Sequence, residues 1–408
     1  MELMPGYKRS DVGVIPDDWD AKPLGEIGDS LIGLTYRPSE VRKYGTLVLR
    51  SSNVQNGTLC FDDNVFVDAD IPERIMVRPG DILVCVRNGS RDLIGKSALI
   101  DERAIGMTFG AFMAVFRSEH GKLLHHVFQS GIFKKQINEH LGATINQITN
   151  KSLNSFKVPL PPTDEERTEI ANALSDVDTL LATLDQVIAK KRDMKKAATQ
   201  QLLSGETRLP GFIDEWQLKR LGDVVDTDPE NLGADTATDF CFNYISLEDV
   251  DRGQLRSHSE QIFIDAPSRA RRKLMTSDVL VSTVRPNLQS HLLFKGDTGH
   301  WVCSTGFCVI RCREGVTCPA FVFSHFFAAD VNRQIDTLLT GSNYPAINSG
   351  DVRNLEIKFP SYIEQCAIAT VLSEMDAELS ALEARRDKTS NIKQAMMQEL
   401  LNGKTRLV

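Results

Sequence analysis

Leu202-Leu-Ser-Gly-Glu-Thr-Arg-Leu209 lies at the middle of this 408-residue sequence, and Leu400-Leu-Asn-Gly-Lys-Thr-Arg-Leu407 repeats it 198 positions later. The same displacement relates Leu174 to Leu372, well upstream of both motifs. A fixed displacement between separated motifs is the sign of an internal repeat. The sequence therefore predicts that the segments before the two motifs are copies of each other.

The copies extend into the globular regions. Trp19-Asp-Ala-Lys-Pro-Leu-Gly25 matches Trp216-Gln-Leu-Lys-Arg-Leu-Gly222 at a displacement of 197, and Asp81-Ile-Leu-Val84 matches Asp278-Val-Leu-Val281 at the same displacement. Chance matches would not keep the same displacement of 197–198 positions over nearly two hundred residues. The chain is therefore predicted to be two copies of a globular region, each followed by a helix.

The helices are predicted from apolar residues that recur at alternating steps of four and three, which is the a/d pattern of a coiled coil. The apolar seam of the two copies comprises Ile170, Leu174, Val177, Leu181, Leu184 and Ile188, and then Ile368, Leu372, Met375, Leu379 and Leu382. The simpler alternative is two amphipathic helices, each packed on its own domain. The pattern covers some forty residues, which favours a long helix pair.

Sequence signals also mark where these helices begin and end. Thr163 with Glu166, and Ser361 with Glu364, fit capping boxes at the two starts. A glycine after the last seam residue, as in both repeated motifs, is typical of a helix end.

We therefore predict an α+β protein with four segments: an α/β domain over 1–162, a helix over 163–205, a second α/β domain over 206–360 and a second helix over 361–408. The first helix enters the second domain through only a few residues. Because the ends of a domain usually lie close together, the two helices are predicted to be antiparallel and the copies to be related by a pseudo-two-fold axis.

Composition is that of a globular protein, with 41% hydrophobic and 25% charged residues. The polar segment 1–20 lacks the apolar core of a signal peptide, and no apolar run reaches membrane-spanning length. These features predict a cytoplasmic protein. Cys303, Cys308, Cys312 and Cys318 cluster, but their gaps do not make the paired CxxC spacing of zinc sites, so no metal is expected.

Net charge opposes strong DNA binding by this chain alone. The net charge is -8; region 1–162 carries 19 basic and 19 acidic side chains, and region 209–360 carries 15 and 20. Phosphate contacts need Lys and Arg. If the chain binds DNA, most of the affinity for the phosphate backbone is expected to come from a partner.

Catalytic motifs are scarce. Gly89-Ser-Arg-Asp-Leu-Ile-Gly-Lys-Ser97 resembles a phosphate-binding loop, but five residues separate its glycines where that motif has four. The residues after it, 98–100, are typical of a strand rather than the helix that such a loop requires. The sequence therefore predicts no catalytic residue.

Each copy instead carries polar turns suited to reading DNA. Arginine can bond bidentately to guanine, and Asn or Gln to adenine, in the major groove. The candidate base-reading residues are Arg87, Asn88, Ser90 and Arg91 in the first turn, Arg285, Asn287 and Gln289 in the second, and Asn146, Gln147, Asn343 and Tyr344 in two later loops. The candidate phosphate contacts are Arg74, Arg78, Arg269, Arg271 and Arg272. For any single residue, a solvated turn explains the sequence equally well.

With these motifs in place, the sequence resembles the specificity subunits of type I restriction-modification enzymes over essentially its whole length. The resemblance rests on Ile15-Pro-Asp-Asp-Trp19, on Pro159-Leu-Pro-Pro162 leading into Glu165-Glu-Arg-Thr-Glu-Ile170, and on the two repeated motifs that follow the helices. Each motif alone is short; the combination is specific.

The resemblance implies two target-recognition domains that each read half of a bipartite, asymmetric DNA site, with the helices as spacer. It also implies two methyltransferase subunits docked to the helices, which use S-adenosylmethionine to methylate adenine, and separate motor-nuclease subunits that use ATP and Mg. The chain itself would hold no cofactor. The alternative from another class is a coiled-coil scaffold with two protein-binding domains.

Overall fold

The computed structural model describes residues 5–141, 146–296, 299–340 and 345–407. The chain forms two compact units: unit 1 is Met1–Asp185 together with Ala384–Val408, and unit 2 is Gln186–Glu383. Each unit therefore contains one globular region and a part of both long helices.

Unit 1 has a mixed α/β globular region. Its strands are β1 Tyr7–Ser10, β2 Gly13–Pro16, β3 Asp20–Pro23, β4 Asp29–Ile32, β5 Val41–Arg42, β6 Thr46–Leu49, β7 Val54–Gln55, β8 Thr58–Leu59, β9 Phe66–Val67, β10 Ile82–Cys85, β11 Ser97–Leu99, β12 Thr108–Phe109, β13 Met113–Arg117 and β14 Lys157–Leu160. Its helices are α1 Leu24–Ile27, α2 Gly121–Gln129, α3 Gly131–His140 and α4 Asn150–Ser155, followed by the long α5 Asp164–Ser204, which continues into unit 2. Short 3-10 helices cover Pro38–Glu40, Ser51–Asn53, Glu73–Ile75, Arg91–Leu93 and Glu102–Ala104.

Unit 2 also has a mixed α/β globular region followed by a long helix. Its strands are β15 Gln217–Arg220, β16 Val225–Thr227, β17 Cys241–Ile245, β18 Val250–Asp251, β19 Gln254–Leu255, β20 Ser259–Ile262, β21 Ala270–Leu274, β22 Val279–Ser282, β23 Leu292–Leu293, β24 Trp301–Ser304, β25 Phe307–Cys312 and β26 Glu356–Phe359. Its helices are α6 Leu221–Val224, α7 Pro319–His325, α8 Ala329–Leu338 and α9 Ser349–Asn354, followed by the long α10 Tyr362–Leu400, which continues into unit 1. Its 3-10 helices cover Leu247–Asp249 and Pro286–Leu288.

The sheets confirm the internal repeat. Unit 1 has an antiparallel sheet in the order β11-β10-β13-β4, and unit 2 has the equivalent order β23-β22-β25-β16. A second sheet in each unit contains one parallel pair, β6 with β12 and β17 with β24. Both central strands, β10 and β22, are buried along their whole length. Burial on both faces explains why Ile-Leu-Val and Val-Leu-Val are apolar without alternation.

The long helices run antiparallel inside each unit, as the sequence predicts. In unit 1, Lys393 Nζ lies 2.6 Å from Asp178 Oδ1, and Arg386 Nε lies 3.1 Å from Asp185 Oδ1, so positions rise on α5 as they fall on α10. The equivalent contacts in unit 2 pair Lys191 with Glu378 and Lys195 with Asp376.

The predicted seam faces inward. The buried seam residues are Ile170, Leu174, Leu184, Ile188, Ile368, Leu372 and Leu379. The half-buried ones are Val177, Leu181, Met375 and Leu382. Where the seam turns polar, lysines on one helix pair with carboxylates on the other, so these positions still contact the opposite helix. No helix in the described part of the chain has both the length and the apolar character needed to cross a membrane.

The predicted capping boxes are only half formed. The hydroxyl oxygens of Thr163 and Ser361 accept hydrogen bonds from the N–H groups of Glu166 and Glu364, at 3.2 and 3.4 Å. The reciprocal glutamate bond to the backbone was wrongly predicted. Both glutamate side chains are buried and ion-paired with arginines instead, because a guanidinium neutralises a buried carboxylate and an amide N–H does not.

Those arginines belong to the repeated motifs. Arg406 contacts Glu166 through Nε and, at 2.9 Å, through Nη2, and it also bonds to Asp18 and lies over the Trp19 ring. Its side-chain hydrogen bonds hold the pKa of the Asp18 carboxyl below its usual value. The repeated arginine thus locks the end of α10 to the start of α5 within unit 1.

The other copy of the motif, Leu202-Leu-Ser-Gly-Glu-Thr-Arg-Leu209, makes the same connection in unit 2. Arg208 forms two bonds of 2.6 and 2.7 Å to Glu364 and lies over the Trp216 ring. The sequence motif Leu-Leu-x-Gly-x-Thr-Arg-Leu therefore has a structural cause: its glycine lets the chain leave the helix at positive φ, 76° at Gly205 and 64° at Gly403, so that the arginine can turn back.

Buried histidines give unit 2 a defined acid sensitivity. His325 on α7 is fully buried, and neither ring nitrogen has a hydrogen-bond partner among the residues that the structure describes. Burial lowers its pKa to about 4. The unfolded chain protonates an imidazole near pH 6.5. Unfolded protein therefore binds more protons below that pH, and stability falls as the pH drops from about 6.5 to about 4.

We expect His325→Leu to remove this component; the equivalent residue of unit 1, Val127, is also aliphatic. The drop in unfolding free energy between pH 7.5 and pH 5 should shrink by about 2 kcal/mol. Urea unfolding of the full chain at both pH values measures it. His300→Leu, at an exposed site in the same unit, should leave the drop unchanged; an equal effect from both variants would contradict this origin.

Candidate DNA interface

In unit 1 the turn that follows β10 is held by the neighbouring strand. The N–H groups of Val86 and Arg87 both donate to the carbonyl of Phe112, at 3.1 Å each. Asn88 Oδ1 accepts the Ser90 N–H at 3.0 Å, which tightens the turn, and Asn88 Nδ2 donates to Ser51 Oγ at 3.4 Å. The turn is thus preorganised, and Arg87 and Ser90 are exposed on it.

The later amide-rich loop meets this turn. Arg87 and Gln147 form an antiparallel bridge, and Asn146 Nδ2 donates to the Gly89 carbonyl at 3.3 Å. Residues 144 and 145 of the same loop lie outside the described residues. The structure therefore brings together two predicted segments that are almost sixty positions apart in the sequence.

Arg91 has a structural role in this conformation. Its Nη2 donates to the carbonyl of Leu141, just after α3, at 3.2 Å and to that of Asn138, in the last turn of α3, at 3.5 Å. The contact anchors the segment that leads into the amide-rich loop. Whether Arg91 also contacts DNA stays a prediction.

Arg74 and Arg78 are exposed but lie before β10, whereas the reading turn lies after it. A strand keeps the two ends of its sequence apart. The structure therefore does not bring these arginines to the turn, and as phosphate contacts they would serve a different part of a DNA duplex.

Phe112 is a residue that the sequence reasoning missed. Its ring is 57% exposed, and the Arg87 guanidinium lies 5.1 Å from the ring centre. An exposed aromatic side chain beside a candidate base-reading arginine offers an apolar surface for a thymine methyl group or a base face. Only the glycine two positions earlier, Gly110, hints that the chain turns outward here.

The unit 2 turn is built differently at the same place. Arg285 and Gln289 both have positive φ, 49° and 56°, on either side of the 3-10 helix Pro286–Leu288. Arg285 N–H donates to the Pro345 carbonyl at 2.8 Å, and Val284 bridges Ala346. The turn thus also meets its later loop, of which Asn343 and Tyr344 lie outside the described residues. Asn287 is exposed.

The basic segment of unit 2 is not uniformly available. Arg269 is exposed. Arg271 lies over the Phe263 ring and donates to the Ala270 carbonyl at 2.8 Å. Arg272 was wrongly predicted as a phosphate contact, because its side chain is only 14% exposed and is ion-paired with Asp228.

A buried ion pair lies at the start of the strand that leads to each of these two turns. Asp81, just before β10, binds Arg117 through two bonds of 2.8 and 2.7 Å. Asp278, just before β22, binds Arg311 through two bonds of 2.9 Å. Because both carboxylates are buried, each ion pair fixes the start of the central strand. The position of the strand then determines where the turn at its opposite end lies.

The glycine segment 89–97 is not a phosphate-binding loop. A 3-10 helix, Arg91–Leu93, lies within it, and strand β11 follows where that motif needs a helix. The strand prediction for this segment is confirmed.

The clustered cysteines lie in the core of unit 2. Cys303 and Cys308 are buried on β24 and β25, and burial raises the pKa of the Cys308 thiol to about 11. In the described ranges, the residues whose side chains converge as a metal site would require are His125, His126 and Asp178 of unit 1. There Asp178 already pairs with the Lys393 ammonium.

Comparison with known proteins places this architecture. The profile of the type I restriction modification DNA specificity domain matches residues 16–190 and 213–390, once on each copy. The specificity subunit of the type I restriction enzyme MjaX of Methanocaldococcus jannaschii is 26% identical over 98% of this chain and 97% of its own length. The StySPI specificity subunit of Salmonella potsdam is 22% identical over 95% and 89%.

Solved structures show the same fold. The S subunit of a type I restriction-modification system from M. genitalium superposes with a TM-score of 0.60 at 14% identity, covering 98% of this chain and 99% of that chain. The chain belongs to the type I restriction modification DNA specificity family. It is a recognition subunit rather than an enzyme, as the sequence predicts.

Proposed function

We propose that this chain reads a bipartite, asymmetric DNA sequence, one half with each unit, and so directs adenine methylation and restriction by partner subunits. One observation carries the proposal. In both units a turn follows the equivalent buried strand, β10 or β22, and contacts a later loop. The two turns nevertheless differ in sequence, Arg87-Asn-Gly-Ser-Arg91 against Arg285-Pro-Asn-Leu-Gln289.

The shared frame and the different tips fit this division of labour. The frame is the central strand with its buried ion pair, and it holds the following turn at a constant position. The side chains of that turn, which form the tip, then decide which base edges are bonded. Arg87 and Arg285 would bond guanine, while Gln147, Asn287 and Gln289 would bond adenine. Asn88 would instead hold the turn in shape through its bonds to Ser90 and Ser51. Unlike tips give unlike half-sites, which makes the whole site asymmetric.

Partner subunits would dock on the long helices. Two exposed apolar residues of α5 in unit 2, Val187 and Met194, are 37 and 48% exposed and stand seven residues apart. A heptad spacing places them in one row on the helix, outside the buried seam. Such a row suits an apolar helix from another protein. We assign it to the methyltransferase subunits, which would bring S-adenosylmethionine; motor-nuclease subunits would bring ATP and Mg.

Charge supports the need for partners. Region 1–162 carries no net charge and region 209–360 is acidic by five, so few phosphates can be neutralised by this chain. The chain would supply selectivity, and the assembled complex would supply affinity.

The test is to express the full chain with its cognate methyltransferase subunit in a host without adenine methylation, and to map N6-methyladenine by single-molecule sequencing. We expect methylation at one motif made of two specified halves and an unspecified gap. Omitting this chain should abolish it. An uninterrupted motif, or the same methylation without this chain, would contradict the proposal.

A further inference from the structure

Unit 2 contains a large cavity with no assigned role. It measures about 1230 Å³, is open to solvent, and is lined by the last part of α5, the first part of α10, the β18–β19 hairpin and the α7–α8 segment. Small-molecule sites in proteins usually measure about 300–1,000 Å³. The cavity is therefore roomy enough for a ligand of several rings and charged groups.

The cavity is lined by positive charges, although the surrounding region of the chain is acidic. Lys196, Arg252 and Lys295 line the cavity, and the structure gives none of them a hydrogen bond or ion pair to another described residue through its charged group. Two further lining cations, Arg192 and Lys195, are already paired with carboxylates. Three unpaired cations around one space attract an anion, although region 209–360 has an acidic excess.

Aromatic rings form part of the wall, beside aliphatic side chains such as Leu255 and Leu372. Phe323 and Phe327 lie edge to face at 5.1 Å, and Trp301 packs against Phe294 at 5.2 Å and against His258 at 4.9 Å. All five rings line the cavity. Aromatic side chains interleaved with cations are the surface on which proteins stack bases and hold phosphates.

The first copy of the repeat has polar groups at the positions equivalent to two of these rings. At the displacement of 198, His125 and Gln129 stand where unit 2 has Phe323 and Phe327. Gln129 bonds the His125 ring at 2.9 Å through Nε2 and accepts from Lys393 Nζ at 3.0 Å through Oε1. These bonds tie α2 to the helix pair.

Two of the three cations are also particular to unit 2. The hairpin tips align through their positive φ angles, with Arg252-Gly253 at 40° and 89° and Asn56-Gly57 at 49° and 79°. Asn56 therefore replaces Arg252 in unit 1, and Gln394 stands where unit 2 has Lys196. Both substitutions remove a positive charge. The cations and aromatic rings that line the cavity of unit 2 are therefore not explained by a structural role common to both copies of the repeat.

We propose that this cavity binds a nucleotide, with its phosphates on Lys196, Arg252 and Lys295 and its base against the aromatic wall. A free nucleoside triphosphate and the end of a nucleic-acid strand share this chemistry. Gln289, at the end of the turn after β22, lines the cavity, whereas Arg285 and Asn287 do not. Nucleotide binding by the full chain is measured without duplex DNA, so the inference does not depend on the proposed function.

The experiment titrates the full chain with ATP, adenosine, inorganic tripolyphosphate and a short oligothymidylate, following tryptophan fluorescence and heat of binding. Of the three tryptophans, Trp301 lines the cavity. We expect ATP or the oligonucleotide to bind and quench this fluorescence, with adenosine and tripolyphosphate each at least tenfold weaker because each lacks half of the recognition. Tight binding of ATP indicates a free nucleotide, and binding of the oligonucleotide alone indicates a strand end.

The matched variants exchange residues between the copies: Lys196→Gln with Arg252→Asn, and separately Phe327→Gln. Each should weaken binding about tenfold or more, while Lys358→Gln, at an exposed position of β26 in the same unit, should not. Lys196 and Arg252 are exposed, so the charge variants should keep the circular dichroism spectrum and the methylation motif of the assembled complex. Absence of binding by every ligand, or binding that the charge variants leave unchanged, overturns the proposal.

Discussion

Replacing Arg406 by methionine is expected to destabilise unit 1 by about 3 kcal/mol, because it strands a buried charge. Glu166 is fully buried, and the guanidinium of Arg406 is its ion-pair partner in the structure. Methionine keeps the apolar stem of the side chain and loses the cation. The carboxylate must then bind a proton or open the helix start to water, and both cost free energy.

Urea unfolding of the full chain, followed by tryptophan fluorescence and circular dichroism, measures this effect. The double variant Arg406→Met with Glu166→Leu should recover most of the loss, since it removes both charges. Arg103→Met breaks an exposed pair with Asp101 in the same unit and should cost less than about 1 kcal/mol. Equal losses in Arg406→Met and Arg103→Met would show that the buried pair does not hold the unit together.

The second large effect is expected on specificity. Changing Arg285 and Asn287 to alanine should relax or abolish the reading of one half-site and leave the other half-site intact. Losing one bidentate base contact typically costs about 1–3 kcal/mol of discrimination, and two contacts in one half-site should remove most of its preference. Both residues lie on one turn, so the change stays within unit 2.

The matched control is Arg87→Ala with Gln147→Ala in unit 1, which should relax the opposite half of the motif. Single-molecule methylation maps of cells carrying each variant with the methyltransferase subunit give the preference at every position. If both variants degraded both halves equally, the assignment of one half-site to each unit would be wrong, even if the chain still directed methylation.

The sequence alone was a good guide wherever a feature repeats or has a period. A register of 197–198 positions and a seam such as Ile170, Leu174 and Leu184 determine where the copies and the helices are. Buried strands were also recognisable, because β10 and β22 are short apolar runs that follow an aspartate.

Pairings across long sequence distances could not be predicted this way. Glu166 looked like a capping residue because its local partner is visible in the sequence, whereas Arg406 is 240 positions away. Arg272 looked like a phosphate contact because three basic neighbours suggest an exposed strand; only the fold reveals that Asp228 lies against it. Phe112 carries no local polar signal at all. Burial and long-range partners decide these roles, and neither is a property of a short window.

The way the chain is divided between the two units also determines which unit can fold first during synthesis on the ribosome. Unit 2 is a continuous stretch, Gln186–Glu383, but unit 1 needs Ala384–Val408 in addition to Met1–Asp185. The first globular region is therefore synthesised early and waits for 198 further residues before the segment that completes it emerges. During that interval Glu166 has no arginine, and the apolar face that receives Leu400 and Leu401 is uncovered. A chaperone or a partner helix that shields this face during synthesis would act on unit 1 and have no equivalent task on unit 2.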